Sequence, residues 1–500
     1  MPQYRGLHRM GAIRWSAVAI AFGAIATLLG SCRSDPGDRP ETSSTVLRVG
    51  VGQLSATSQQ NGLRQLAQII AVEGLGRLTP EGKVEPWIAD KWHLANGGRS
   101  VVVTLKSGVK FHDGSPVMAQ EVASLIPPML RSTLGSLAED VDAIRAVDAN
   151  AIEVAFRRPS PMLMESLEVQ IRKAGPAIVA TGPYAVAPNS TTELRANGEY
   201  YLGRPQIGDV QIQAYPSVRA AWAELLRNRL DMLYEVGFDA LDSLESSRRI
   251  AVFTYVRHYQ YLLVLNNSSP ALKDKSVRGA LNMAIDRQEL IQQALRGHGV
   301  PSTGPLSSRY WALPSEKPAF TVDMARAAEM LHGKRVQFTC LLGGDQVDER
   351  MALELKRQFA AVGADMQLRA VTQDAIYEAQ RSGTFDAILT EAISGPTLLR
   401  PYQVWHSKSS SHPGHWGNAT IDLALDRARY AEDESAYRQA VAGVQQAFID
   451  DPPAVFLAWS ERAQAISQRF VVPPLDAGQN PLATLRLWTP RSDERVARRN

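Results

Sequence analysis

Cysteine is almost missing from this 500-residue chain, which carries only Cys32 and Cys340. Two thiols are too few for a disulfide framework or for a zinc site built on paired thiolates. An excess of one charge is missing as well. Lys and Arg number 54 against 51 for Asp and Glu, and three of the basic residues, Arg5, Arg9 and Arg14, precede an apolar run at the N-terminus. The remainder is balanced, which argues against a nucleic-acid surface as the main function, because counterion release needs clustered cationic charge. Catalytic signatures are missing too: the chain has no Gly-x-Ser-x-Gly elbow, no His-Glu-x-x-His and no Cys–His nucleophile pattern, so a hydrolase on the cell surface has no motif to support it. No repeat of fixed period is visible. What is present, 45% hydrophobic and 21% charged residues, is the composition of an ordinary globular protein long enough for two or more domains.

Residues 1–31 read as a targeting segment: a basic start, the apolar stretch from Trp15 to Gly30, then small residues before Cys32. The stretch is too short and too interrupted for a membrane span. Leu28-Leu29-Gly30-Ser31-Cys32 resembles the bacterial lipobox, which implies cleavage before Cys32 and a lipid on its thiol; several acyl chains anchor a soluble domain where one binds only marginally. Residues 32–45 hold no large apolar side chain beyond that anchor and are rich in turn formers, the pattern of a flexible tether. Cys340, set in Phe338-Thr339-Cys340-Leu341-Leu342, reads as an inert core thiol. Residues 491–500 read as a charged, solvated tail.

Between these ends, β-rich runs alternate with amphipathic helices. Val46–Val51, Ser100–Leu105, Ala151–Phe156, Val210–Tyr215 and Tyr261–Leu265 read as strands. In Val218–Arg229 the residues Val218, Ala221, Trp222, Leu225 and Leu226 share one helical stripe. Asn228 can close that helix in the left-handed region, and Leu230–Tyr234 resumes as a strand. Asp274–Leu295 reads as two helices, the second opened by Asp286 with Glu289 in a capping-box pattern. Met351–Val362 is helical, Gly363 stops it, and Met366–Val371 returns as a strand. Interleaving of this kind defines a mixed α/β class with at least two helix-covered sheets and ligands at the carboxyl ends of strands.

The motifs carry a family likeness. Glu73-Gly74-Leu75, Pro86-Trp87-Ile88-Ala89-Asp90-Lys91-Trp92 and Gly108-Val109-Lys110-Phe111-His112-Asp113-Gly114-Ser115-Pro116 resemble the signature of the family 5 extracytoplasmic solute-binding proteins, the dipeptide, oligopeptide and nickel-binding components of ABC importers. Thr181-Gly182-Pro183-Tyr184, Asn197–Tyr200 and Asp274–Arg278 through Ala284–Arg287 match in order and spacing. The likeness runs from about Val46 to about Val472. It implies an α/β fold of two lobes, periplasmic-binding-protein-like (type II), with an extra subdomain in the first lobe. The expected boundaries are 46–262 for lobe I, with the subdomain at about 80–178, 263–470 for lobe II, and 471–490 for the return to lobe I. Crossing strands are expected at about Tyr259–Asn266 and Ala465–Val472. Read physically, Phe111-His112-Asp113-Gly114 is a turn, with Asp113 bonding backbone and Gly114 at positive φ, and Arg278 and Asp286 fix helix ends.

The resemblance also implies a ligand site between the lobes, lined by loops and aromatic residues. The expected contacts are Gln53 and Ser55 in the loop after the first strand, Tyr259 on a crossing strand, Glu391, and Trp405 and Trp416. Either tryptophan can alternatively pin its loop to the core. Gly395 stands where peptide binders of the family carry an aspartate for the α-ammonium, which leaves Glu391 as the nearby substitute and puts free-amine peptides in doubt. His406, His412 and His415 are of metal-ligating type, but their spacing fixes no geometry; no metal or other cofactor is expected. The function implied is a lipid-anchored monomer in the periplasm or on the cell surface that captures a peptide or peptide-like solute and passes it to an ABC permease. Its rivals are the surface hydrolase and a signalling or assembly lipoprotein on the same fold.

Overall fold

Alternation dictates the first strand: in Val46–Gly52 the side chains of Leu47, Val49 and Val51 are buried while Val46 and Arg48 are half-buried. The computed structural model describes residues 45–491 except 53–62, 64–65, 238–240, 242–243, 245–246, 317–318 and 477. Cys32, the tether, Gln53, Ser55 and the tail after Arg491 therefore lie outside the described residues.

Among the described residues an 11-stranded mixed sheet forms the spine. On one side Val46–Gly52 is flanked in parallel by Asp209–Tyr215 and Met232–Val236, the last two joined by the helix Val218–Leu226. That helix starts where Ser217 Oγ accepts the Ala220 amide at 3.1 Å. Gly52 is required at the end of the first strand, since a Cβ there would lie 2.4 Å from Val218 Cα. On the other side Val336–Leu342 lies parallel to Ala364–Ala370 and Ala387–Ile393, with Gln346–Ala361 and Gln373–Ser382 as the crossing helices.

Two long antiparallel strands, Ile250–Leu265 and Ala454–Ser467, tie these halves together. Their ladder runs from Ile250 opposite Ser467 to Val256 opposite Glu461, slips, and resumes at Gln260 opposite Trp459. Arg257, His258 and Tyr259 are left out of the pairing between these two strands, as residues in a β-bulge are. Gln260, fully buried, pins the break: its Nε2 donates to Ser302 Oγ at 2.7 Å and Gly304 O at 2.9 Å, and its Oε1 accepts from Ser394 Oγ at 2.6 Å.

A separate four-stranded antiparallel sheet orders Ala89–Ala95, Ser100–Leu105, Ala151–Phe156 and Val141–Ala146. The helices Ala119–Leu125 and Pro127–Leu134 follow its second strand. Its buried residues, among them Val103 and Ile152, share one continuous core with Tyr402, Trp405 and Phe448 from the chain between the long strands and with Phe456 at the start of the second of them.

The sequence motifs converge on buried polar anchors. Glu73, 8% exposed, accepts from Trp87 Nε1 at 2.7 Å, Tyr200 OH at 2.6 Å, Thr181 Oγ1 at 3.0 Å and Tyr201 OH at 3.4 Å. His112 sits within hydrogen-bond distance of Gly182 O (3.0 Å) through Nε2, and its Nδ1 accepts the Ala180 amide at 3.3 Å, which ties the 108–116 turn to the 181–184 turn. Asp113 accepts from the Ser115 amide at 3.0 Å, and Gly114 has φ +83°, as a turn requires. Buried Arg278 donates to the carbonyls of Leu272, Lys273 and Pro452 and pairs with Asp451, closing chain ends that would otherwise be unsatisfied.

Candidate functional site

The break in the long ladder opens onto two adjoining chambers. The larger, about 1030 Å³, is lined by Gly52 and Tyr234 from one half of the sheet, by Tyr255 to Tyr259 at the bulge, and by Arg309, Gln479 and Asn480. The smaller, about 560 Å³, is lined by Tyr261, Asp345, Asp348, Gln373, Glu391 and Arg462. Both volumes suit a small solute rather than a macromolecule.

A chain of charges divides them. Glu391 Oε1 accepts from Arg257 Nη2 at 2.8 Å and Arg462 Nη2 at 2.9 Å, and Glu391 Oε2 from Arg462 Nη2 at 2.8 Å. Arg462 Nε lies 2.8 Å from Glu235 Oε1, and Glu235 lines both chambers. Burial works against the Arg462 charge, yet Glu391, Tyr261 and Glu235 hold its pKa above the ordinary arginine value. The larger chamber is aromatic and polar at once. The Arg257 guanidinium lies 4.2 Å from the Tyr259 ring centroid, and burial raises the pKa of Tyr234 and Tyr255, keeping both phenols protonated as donors. Burial, then the Arg309 charge, lowers the pKa of His258. Arg77 pairs with Glu85 and Arg309 with Glu81 along the rim. In the smaller chamber, burial and the charges of Asp345 and Glu391 push Asp348 up to about 7.

Of the expected contacts, Tyr259 lines the larger chamber and Glu391 the smaller. Glu391 is not waiting for a ligand ammonium, because two guanidinium groups already hold its carboxylate. Trp405 and Trp416 are placed in the core instead of on the chamber walls. Trp405, 4% exposed, meets Phe448 and Phe456 edge-on at 6.0 and 6.1 Å, and Trp416 packs on the His412 ring at 4.1 Å. Each buries a large apolar surface of the kind whose truncation costs a core about 3–5 kcal/mol. His406 is likewise buried, tilted against Tyr402 at 4.9 Å, with Nε2 3.3 Å from Asp426 Oδ1. Gly395 has φ +69°, and its amide and that of Ser394 donate to His258 O at 3.1 and 2.9 Å. An aspartate there would strain the backbone as well as change the charge. Tyr234, Tyr255, Arg257, His258 and Arg462 are chamber residues that sequence reasoning missed. A signal existed: Tyr255-Val256-Arg257-His258-Tyr259 is polar and aromatic, and the same strand turns wholly apolar at Leu262-Leu263-Val264-Leu265.

A spine sheet of two α/β halves joined by two crossing strands, with chambers at the crossing, is the build of a protein that holds a solute between lobes. The sequence model of the bacterial extracellular solute-binding proteins, family 5 Middle, matches residues 83–414, and the chain belongs to that family. Its fold is the mixed α/β, two-lobed type II periplasmic-binding fold. Protein XP55 of Streptomyces lividans is 25% identical over 92% of this chain and 91% of its own length. The oligopeptide-binding protein AppA of Bacillus subtilis is 23% identical over 76% of this chain and 79% of its own. Among solved structures, NikZ from Campylobacter jejuni in complex with Ni(L-His) is similar with a TM-score of 0.75 and 19% identity, covering 89% of this chain and 99% of that one.

Proposed function

We propose that this chain is the receptor of an ABC importer: a non-enzymatic, lipid-anchored monomer outside the cytoplasm that closes two lobes, about 46–262 with 471–490 and about 263–470, around a peptide or peptide-like solute. The observation that carries this reading is the pair of chambers at the slipped ladder, where residues of both halves face one space. A bulge localises bending, so the crossing strands are the hinge. The names of relatives that bind oligopeptides and a nickel–histidine complex support solutes of this size.

The surroundings of Glu391 favour a ligand whose amino end, where it meets this residue, is blocked or neutral. The Glu391 carboxylate is already compensated, and residues 53–62 contain no charged side chain. A dehydrated ammonium set at Glu391 finds no free counter-charge there and costs several kcal/mol; the carboxylates left to it are Asp345 and Asp348 in the smaller chamber and Asp476 in the larger. Calorimetry with free and N-acetylated forms of one peptide set is expected to show the acetylated form binding at least as tightly. Tight binding of the free forms that is lost on acetylation and in Glu391→Gln would assign the ammonium to Glu391 and overturn this preference.

Anchoring is tested separately. Cys32→Ser is expected to leave the chain uncleaved or to release it from the membrane fraction, because the thiol that takes the lipid is gone. Unchanged lipid labelling of the variant would reject the anchor.

A further inference from the structure

A third cavity, of about 270 Å³, lies away from the two chambers, in the seam between the four-stranded sheet and the chain between the long strands. Its wall is aromatic on both sides: Trp92 and Phe156 from the sheet face Tyr310, Trp311 and Tyr437 from across the seam. Tyr437 stacks on Trp311 at 5.7 Å and 27°, and its hydroxyl meets that of Tyr310 at 2.7 Å. Glu165, 6% exposed, lines this cavity; among the described residues it is hydrogen-bonded to the Thr397 side chain and has no cationic side chain paired to it. Glu432, Asp433 and Glu434 add acid at the rim; two cations face it, Lys83 in the lining and Arg438, which pairs with Glu434 at 3.0 Å, and both lie over the Trp311 ring, at 5.2 and 5.0 Å from its centroid.

An aromatic wall with a buried carboxyl and an acidic rim is complementary to one chemistry. Ring faces attract a cation, and a desolvated carboxyl gains most from a partner of opposite charge. We infer that this seam cavity is a second ligand site, distinct from the interlobe chambers, that takes a small arylalkyl or alkyl ammonium ion with its nitrogen on Glu165. The volume lies at the lower end of small-molecule pockets, which limits the ligand to about one ring.

Binding is a proton exchange. Burial and the neighbouring Glu168 push Glu165 up to about 8, so near neutral pH its carboxyl keeps a proton that an incoming ammonium displaces to the buffer. The groups that bear on it are Glu168 on its own segment, Thr397, Tyr310 and Tyr437 across the seam, and Lys83, Glu432, Asp433 and Glu434 around the cavity. The cations around the cavity are Lys83 and Arg438, and Arg438 is engaged by Glu434.

The probe is 2-phenylethylammonium, titrated calorimetrically into the full chain near pH 7 in buffers of different ionisation enthalpy. The expected result is one saturable site per chain with release of about one proton, and about tenfold or greater weakening in Glu165→Gln, which has the shape of the protonated acid and so keeps the fold. 2-Phenylethanol, of the same shape without charge, is expected to bind more weakly by a similar factor. Absence of saturable binding, equal affinity for amine and alcohol, or affinity unchanged in Glu165→Gln would each overturn the assignment.

Discussion

Glu165→Gln is expected to match the wild type in stability at about pH 4 and below and to exceed it by about 3–5 kcal/mol at pH 9. Glu165 and Glu168 lie on one short segment, Pro161–Glu168, and burial pushes them up to about 8 and about 7. In the unfolded chain both titrate near the ordinary glutamate value of about 4.3. A carboxyl whose folded pKa is raised stabilises the fold while both states hold the proton, and the stability drains away as pH climbs from the unfolded to the folded value. The loss therefore spans roughly pH 4.5 to 8, and the glutamine, which cannot ionise, escapes the share due to Glu165. Urea unfolding at a series of pH values measures it. Parallel stability curves for variant and wild type would mean that Glu165 is ionised and solvated in the fold.

Glu73→Ala is expected to cost about 3–5 kcal/mol, and Glu73→Gln about 1. Four donors point at this carboxylate, and one of them, the Trp87 indole N–H, can only donate. Alanine leaves that donor and the hydroxyls of Thr181 and Tyr200 buried without an acceptor, each at a cost of about 1–3 kcal/mol before relaxation. Glutamine keeps an oxygen for Trp87 and Tyr200, while Thr181 and Tyr201 can accept from its amide. Burial raises the Glu73 pKa against these hydrogen bonds, a further reason for a neutral amide to be tolerated. Equal stability of the alanine and glutamine variants in guanidinium unfolding would show that the node does not hold the motifs together.

The contrast between these two glutamates explains what the sequence could and could not show. Glu73, Trp87, Thr181 and Tyr200 were visible as motif residues, and their convergence on one carboxylate gives those motifs a structural cause. Local rules carried equally well. Asn228 adopts φ +58°, Asp286 accepts the Glu289 amide at 2.9 Å, and the strands Ser100–Leu105 and Ala151–Phe156 fall where alternation puts them. Glu165 gave no signal, because a glutamate beside apolar residues reads as the wet side of a helix until a distant segment covers it. The same limit hid the first half of Ile250–Leu265, a strand of half-buried side chains with no clean alternation. It also misplaced Trp405 and Trp416: tryptophan suits a ligand wall and a core equally, and only packing against Phe448, Phe456 and His412 decides.

The long strand Ala454–Ser467 bears on how the chain folds as it emerges from synthesis. Leu233 pairs with Ala465 and Met232 with Ile466, so one flank of Met232–Val236 has no partner until nearly all of the chain exists. Until then the first half of the molecule is a template with an open edge, and such edges recruit other chains. Pairings so far apart in sequence also form slowly, because their loop must close before any contact rewards it. Completion of the spine is therefore a late, single event that joins both halves, and a chain truncated before residue 454 would keep its motifs and its charge balance while remaining prone to aggregate.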